Sequence, residues 1–205
     1  MTTSNFSCSP AAVTLPASCE RALLERFLKA EAMALWAVRS AKLRQLPRHV
    51  QTFLDRHEAD EEEHLRRFEL MLDKPPRRRQ DLPQVPANWE ALAVHLFGYE
   101  ALGLEFARLL VGLRPDCVDI LDDELVHVEF FERELRTVLQ GGEGRARQAR
   151  VTAGAWWKKL PRTLDRYLGD PVFDPYRERL HTQIASSIQT RFETLGLLSP
   201  QPTHP

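Results

Sequence analysis

Two stretches of the chain repeat one pattern of ionisable residues. Residues 60 to 64 read Asp60-Glu61-Glu62-Glu63-His64, and residues 123 to 127 read Asp123-Glu124-Leu125-Val126-His127. Both are D-E-x-x-H. The chain has 29 acidic residues and 7 histidines in 205. Random order of that composition would give one such match on the order of 0.03 times. Positions i and i+3 lie on one face of a helix, so each Glu–His pair can reach a single metal ion. The bland reading of residues 58–63 is a solvated acidic helix face. The second copy of the pattern weighs against it.

A two-metal site of this kind needs two further carboxylates from two other helices. On antiparallel helices, residues equidistant from the connecting turn lie level. Glu61 stands 14 residues after Pro47 and Glu31 stands 16 before it, level to about half a turn at ~1.5 Å rise per residue. Glu31 also interrupts the apolar stripe of its segment. Glu100 and Glu124 have residue 112 as their midpoint. Glu100 sits among Ala93, Leu96, Phe97, Leu104 and Ala107, where a lone carboxylate is costly unless it is paired or bound to metal. Glu105 is the competing choice, on a more mixed face, and would be level with Glu124 if the turn lay nearer Pro115. Carboxylates with one imidazole per metal suit iron or manganese, and four carboxylates neutralise two divalent ions.

The elements that must position these residues read as helices. Residues 18–45 place Leu24, Phe27, Ala34, Leu35 and Val38 on one stripe, with Ser18 as N-cap. Leu46-Pro47 marks a stop and restart. Residues 48–72 form a second amphipathic helix through Val50, Phe53, Leu54, Leu65 and Phe68. Residues 73–88, with Pro75, Pro76, Pro83, Pro86 and Arg77 to Arg79, read as an extended linker in which the arginines are solvated charge. Asn88 caps a third helix of about 89–111, with Gly112 as its left-handed terminus. Pro115 opens a fourth helix reaching Leu139, and Gly141, Gly142 and Gly144 end it. Strand alternation is nowhere sustained. Beyond it, residues 145–168 set Trp156, Trp157, Leu160 and Leu164 against Lys158, Lys159, Arg162 and Arg166. Asp174-Pro175 starts a last helix that Gly196 ends.

Glu31, Glu61-x-x-His64, Glu100 and Glu124-x-x-His127 resemble the ligand set of the ferritin-like di-iron carboxylate superfamily over about residues 18–140. The resemblance implies an all-α fold: a four-helix bundle with a long crossover between helices two and three, here followed by extra C-terminal helices. A linker of about 15 residues reaches ~45–50 Å when extended, and the bundle-length traverse is about 35 Å. The expected organisation is a flexible N-terminus (1–17), the bundle (18–140) and a C-terminal helical extension packed on it (141–205). By the same resemblance, Asp60 and Asp123 would each accept a hydrogen bond from the metal-bound histidine of the other hairpin. One metal would take Glu31, Glu61 and His64, the other Glu100, Glu124 and His127, with Glu61 and Glu124 as bridges. The implied cofactor is a pair of iron ions, with manganese or a mixed Mn/Fe pair as alternatives. The implied chemistry is O2 activation with an external electron donor.

Fold and ligands do not fix the reaction. The leading expectation is an oxidase or hydroxylase acting on a small or carrier-bound substrate, because the C-terminal helices could shape a pocket. Tyr99-Glu100 to Glu105-Phe106 loosely resembles tRNA-modifying di-iron hydroxylases, and Glu63-His64 to Phe68 quinone-ring hydroxylases. The alternatives are a ferroxidase and a metal-free interaction protein. Tyr99 and Glu105 neighbour Glu100 and would flank the site, although Tyr99 and Met33 read first as core. His49, His57, His95 and His181 read as surface residues or partners of the ligands. Gly98 and Gly103 admit two readings, close helix packing or a cavity beside the metals.

Composition narrows the rest. A net charge of -1 disfavours a general nucleic-acid binder, tRNA alone staying open. No apolar run spans a membrane. Three scattered cysteines without a CxxC point to a reducing, cytoplasmic setting. A homodimer is compatible with all of this. Residues 141–205 carry a local +4 against -5 for residues 1–140. The stretch around Trp156 therefore reads either as a helix packed over the bundle or as a contact for a membrane or anionic partner.

Overall fold

A computed structural model describes residues 13–75 and 84–199. Among them are seven α-helices and no strand: α1 (Glu20–Lys42), α2 (Arg48–Met71), α3 (Trp89–Leu113), α4 (Val118–Gln140), α5 (Glu143–Trp157), α6 (Leu160–Tyr167) and α7 (Arg177–Thr194). The helical period of the sequence decides this: each helix has an apolar face that must be covered. α1 packs on α2 and α3, and α4 packs on α3 and α2, so the first four helices enclose one core. Arg77 to Arg79 and most of the expected crossover lie outside the described residues.

α3 is the central helix. Sixteen of its 25 residues are buried, which requires neighbours on every side, and α1, α4, α5 and α7 all pack against it. Asn88 caps it, its side chain accepting from the Ala91 N–H at 2.8 Å. Gly112 does not end it in a left-handed conformation. The helix continues to Leu113, and Arg114 closes it by donating to the Leu110 carbonyl at 2.7 Å. Pro115, which has no N–H to give, then forces a 3-10 turn (Pro115–Cys117) before α4. Ser18 likewise lies inside a 3-10 turn (Ala17–Cys19), and α1 begins after Cys19 without a side-chain cap.

The C-terminal stretch breaks at Lys158 and Lys159 into α5 and α6, with Pro161 in the first turn of α6. α7 starts at Arg177 rather than at Pro175, after a 3-10 turn capped by the Asp170 side chain on Val172 N–H. Gly196 (φ 75°) ends α7. The Leu197 N–H reaches the Phe192 carbonyl at 2.9 Å and the Gly196 N–H that of Glu193 at 2.9 Å, a paired capping that needs the left-handed residue. Trp156 is buried and stacks on Phe192 of α7, centroids 5.2 Å apart. α5 and α7 thus cover α3, while Lys158, Lys159, Arg162 and Arg166 stay exposed. Val13 and Leu15 are buried, and Val13 N–H donates to Gln183 of α7 at 2.8 Å. Residues 1–12 and the tail from 200 lie outside the described residues. No helix among the described residues is long and apolar enough to cross a membrane.

Candidate metal centre

Each of the first four helices sends ionisable side chains into the middle of the core. α1 supplies Glu31, α2 supplies His57, Glu61 and His64, α3 supplies Glu100, and α4 supplies Glu124 and His127. None is more than 3% exposed. They form two overlapping groups whose potential ligand atoms lie within 4.8 Å of one another: His57, Glu61, Glu100 and His127, and Glu31, Glu61, His64 and Glu124. Glu61 belongs to both. Glu124 falls with Glu31 and His64, not with Glu100 and His127 as the expected bridge would.

Four buried carboxylates and three imidazoles with no lysine or arginine among them are expensive unless something neutralises them. Several polar atoms here have no hydrogen-bond partner: Nδ1 of His57, His64 and His127, and one oxygen each of Glu61, Glu100 and Glu124. Buried polar atoms are ordinarily paired. The donor set, carboxylate oxygens and imidazole nitrogens converging from four helices, fits a pair of divalent cations.

The outer nitrogens are held in place from across the bundle. His64 Nε2 faces Asp123 Oδ2 at 3.3 Å, and His127 Nε2 faces Asp60 Oδ2 at 3.2 Å. His64 of α2 and His127 of α4 are therefore each oriented by the other helix's aspartate, leaving Nδ1 turned inward. His127 Nδ1 is 3.5 Å from Glu100 and 3.7 Å from Glu61, and His64 Nδ1 is 3.9 Å from Glu31. Such carboxylate–imidazole pairs fix the tautomer that can ligate.

Burial pushes the carboxyl groups of Glu31, Glu61 and Glu124 well above the usual carboxylate range. Carboxylate repulsion adds to it, from Glu61 and Glu100 on Glu31, from Glu100 and Glu124 on Glu61, and from Glu31 and Glu100 on Glu124. Glu100 goes the other way: burial opposes its ionisation, but His57 and His127 outweigh burial and hold it low. Burial lowers His64, against the pull of Asp123. Burial and His57 would lower His127 too, but Asp60 and Glu100 prevail and raise it.

Of the flanking candidates, Glu105 is occupied elsewhere. It accepts from Arg108 at 2.5 Å and from the Ser187 hydroxyl of α7 at 2.7 Å, on the side of α3 that meets α7. Of the two, Glu100 lies with the buried histidines and carboxylates and Glu105 does not. Tyr99 is half-buried and lines a cavity of about 1120 Å³ whose floor includes Glu31, Glu100, Gly103 and Glu124. His57, which the sequence reads as a surface residue or a partner of the ligands, belongs to the cluster itself. It is fully buried, with Nε2 3.0 Å from Glu61 and 3.4 Å from Glu100, and its ring lies 3.8 Å from that of His127. The signal was present as His57-x-x-x-Glu61-x-x-His64, three residues on one helical face. Phe53, stacked on Phe130 at 3.5 Å, and Phe131 wall off this end. Comparison with protein-family models, curated proteins and solved structures gives no match.

Proposed function

We propose that the chain is a ferritin-like, non-haem di-iron oxidoreductase that uses O2 and an external electron donor to oxidise a small substrate. One observation carries the reading: seven buried carboxylates and imidazoles converge without a lysine or arginine among them, and three of them, Glu31, Glu100 and Glu124, line a large cavity. His57, Glu61, Glu100 and His127 would hold one metal and Glu31, Glu61, His64 and Glu124 the other, Glu61 being common to both groups. The donor set suits iron or manganese. When bound, the metal pair supplies the two-electron reduction of O2 and a strong oxidant at the cavity floor.

The rest is done by the chain's own residues. Asp60 and Asp123 orient the two imidazoles. The aromatic cluster of Phe53, Phe130 and Phe131 excludes water from the His57–His127 end. The cavity side stays open at Glu31, Glu100 and Glu124, where a substrate C–H bond would be presented. Hydroxylation balances as one oxygen atom inserted into that bond and the other leaving as water, with two electrons from the donor and two protons. Iron storage needs no cavity of this size, and the volume is that of a site for a whole small molecule. Support for the alternative, a metal-free interaction protein, would come from an empty centre.

Elemental analysis of protein purified without a metal-affinity tag, before and after anaerobic Fe(II), tests the reading. About two metals per chain are expected, and Glu124→Ala should lose the pair. A chain that refuses Fe(II), or Glu124→Ala that keeps two metals, would overturn it.

A further inference from the structure

The cavity above the floor carboxylates is not uniform. Its walls are aromatic and apolar: Phe27 and Met33 from α1, Tyr99 and Phe106 from α3, Trp156 from α5 and Tyr167 from α6. Tyr167 and Phe106 lie ring to ring at 5.2 Å. Around them stand five cations, Arg26 and Lys29 of α1, Lys159 just before α6, and Arg162 and Arg166 on it. A single acid, Asp165, joins them, 3.9 Å from His181. Arg26, Lys29, Lys159 and Arg162 close no salt bridge with a described residue. Arg26 is half-buried, and its Nε is buried without a hydrogen-bond partner. A guanidinium N–H withdrawn from water with no acceptor is costly, and an anion would supply the acceptor. The rim cations do not serve the floor either, since Glu31, Glu100 and Glu124 form no salt bridge with lysine or arginine.

We infer that this cavity binds a free, small amphipathic anion, an aromatic or apolar body carrying one carboxylate or phosphate-type group. Its body lies against Tyr99, Phe106, Trp156 and Tyr167, and its anionic end is held by Arg26 and the Lys159–Arg162 rim. This orientation directs the uncharged end toward the floor. The inference rests on the di-metal reading for its chemistry but not for its binding. Both phenols help. A phenol is protonated at neutral pH, so Tyr99 and Tyr167 can both donate a hydrogen bond. A macromolecular anion is the weaker fit, because the cations surround an apolar-walled cavity rather than track an extended surface.

The test uses the full chain, stripped of metal and then loaded with redox-inert Zn(II). Calorimetry compares three probes of one shape: 2-naphthoate, 2-naphthamide and 2-naphthylmethylammonium. Naphthoate should bind one per chain, at least about tenfold tighter than the amide, and the ammonium should not bind. Zn(II) should tighten naphthoate by neutralising the floor. Arg26→Met, which keeps the stem volume, and the exposed double variant Lys159→Gln/Arg162→Gln should each weaken naphthoate by about tenfold and leave the amide unchanged. Equal affinities for acid and amide would overturn the inference. So would indifference to these substitutions, or bulk tRNA outcompeting naphthoate through the same rim residues. If naphthoate binds while the chain refuses Fe(II), the pocket stands and the oxidative reading falls. If Fe(II) binds and naphthoate does not, only the substrate class falls.

Discussion

A Cβ built at Gly103 would lie 2.6 Å from Oε2 of Glu124, and one at Gly98 would lie 2.3 Å from the Trp156 indole. These two glycines therefore do different work. Gly98 lets α5 approach α3, and Gly103 gives the Glu124 carboxylate its place against α3. Gly98→Ala should cost about 1–3 kcal/mol by overpacking, read as a lower urea midpoint with metal content unchanged. Gly103→Ala should fold but hold less metal, because a flexible carboxylate can yield where an indole cannot. Unchanged metal affinity in Gly103→Ala would show that Glu124 sits elsewhere. The six spaced residues that the sequence singles out, Glu31, Glu61, His64, Glu100, Glu124 and His127, all meet in one buried place. Glu61, His64, Glu124 and His127 were legible because a motif at i and i+3 is a local property of one helix, and Glu31 and Glu100 because each is a carboxylate on an apolar face level with a motif. Glu105 was ambiguous because its partner Ser187 lies 82 positions away. His57 reads in the sequence only as a surface residue or a partner of the ligands, because a histidine one turn before a motif looks like any exposed histidine until its neighbours are known. His57→Ala should leave the Glu31–His64 site filled and weaken the other by roughly a hundredfold. Anaerobic Fe(II) titration followed by elemental analysis would then show one tight metal, not two.

At the scale of elements, periodicity in the sequence reveals the helices, and tertiary neighbours decide where they end. Gly112 is free to end a helix but is not required to, and α3 ends instead at the proline that cannot continue it. The break at Lys158–Lys159 carries no glycine and no preceding proline. It exists because α5 must cover α3 and α4 while α6 turns to meet α7, a demand invisible in a local window. The interface of α5 is equally specific. Ala146, Ala149 and Ala153 are buried on it, a stripe of small side chains that lets the helix lie close. Ala149→Leu should cost about 1–3 kcal/mol through overpacking. It should lower the thermal midpoint in metal-free and Zn(II)-loaded protein alike, since no proposed ligand lies on α5. A loss confined to the metal-loaded form would instead tie α5 to the centre.

For the molecule as a whole, the buried centre links folding, protons and metal. Glu31, Glu61 and Glu124 titrate above the unfolded carboxylate value, so the metal-free folded chain holds protons that the unfolded chain has released. Their stabilisation is fully present below about pH 4.3, the unfolded value, and is lost as pH rises through their folded values. The raised His127 adds to this loss above about pH 6.5. Glu100, held low, acts oppositely, its contribution being present above the usual carboxylate range and lost only in strong acid. The lowered His64 also opposes the trend: it gives up its proton more readily folded than unfolded, so its penalty is relieved as pH rises. Three raised carboxyls outweigh these, so the metal-free chain should melt lower at pH 8 than at pH 5.5. Metal reverses the sign, because ligands must be deprotonated to bind and rising pH removes that competition. The Zn(II)-loaded chain should therefore melt higher at pH 8 than at pH 5.5. Zn(II) binding at pH 6 should release at least one proton per chain, measured from the dependence of binding enthalpy on buffer ionisation enthalpy. Melting curves of the same slope with and without metal would mean that the seven side chains are not the place where metal acts. The opposed slopes would follow from one arrangement, in which the core keeps four carboxylates without a lysine or arginine among them and bound metal would complete it.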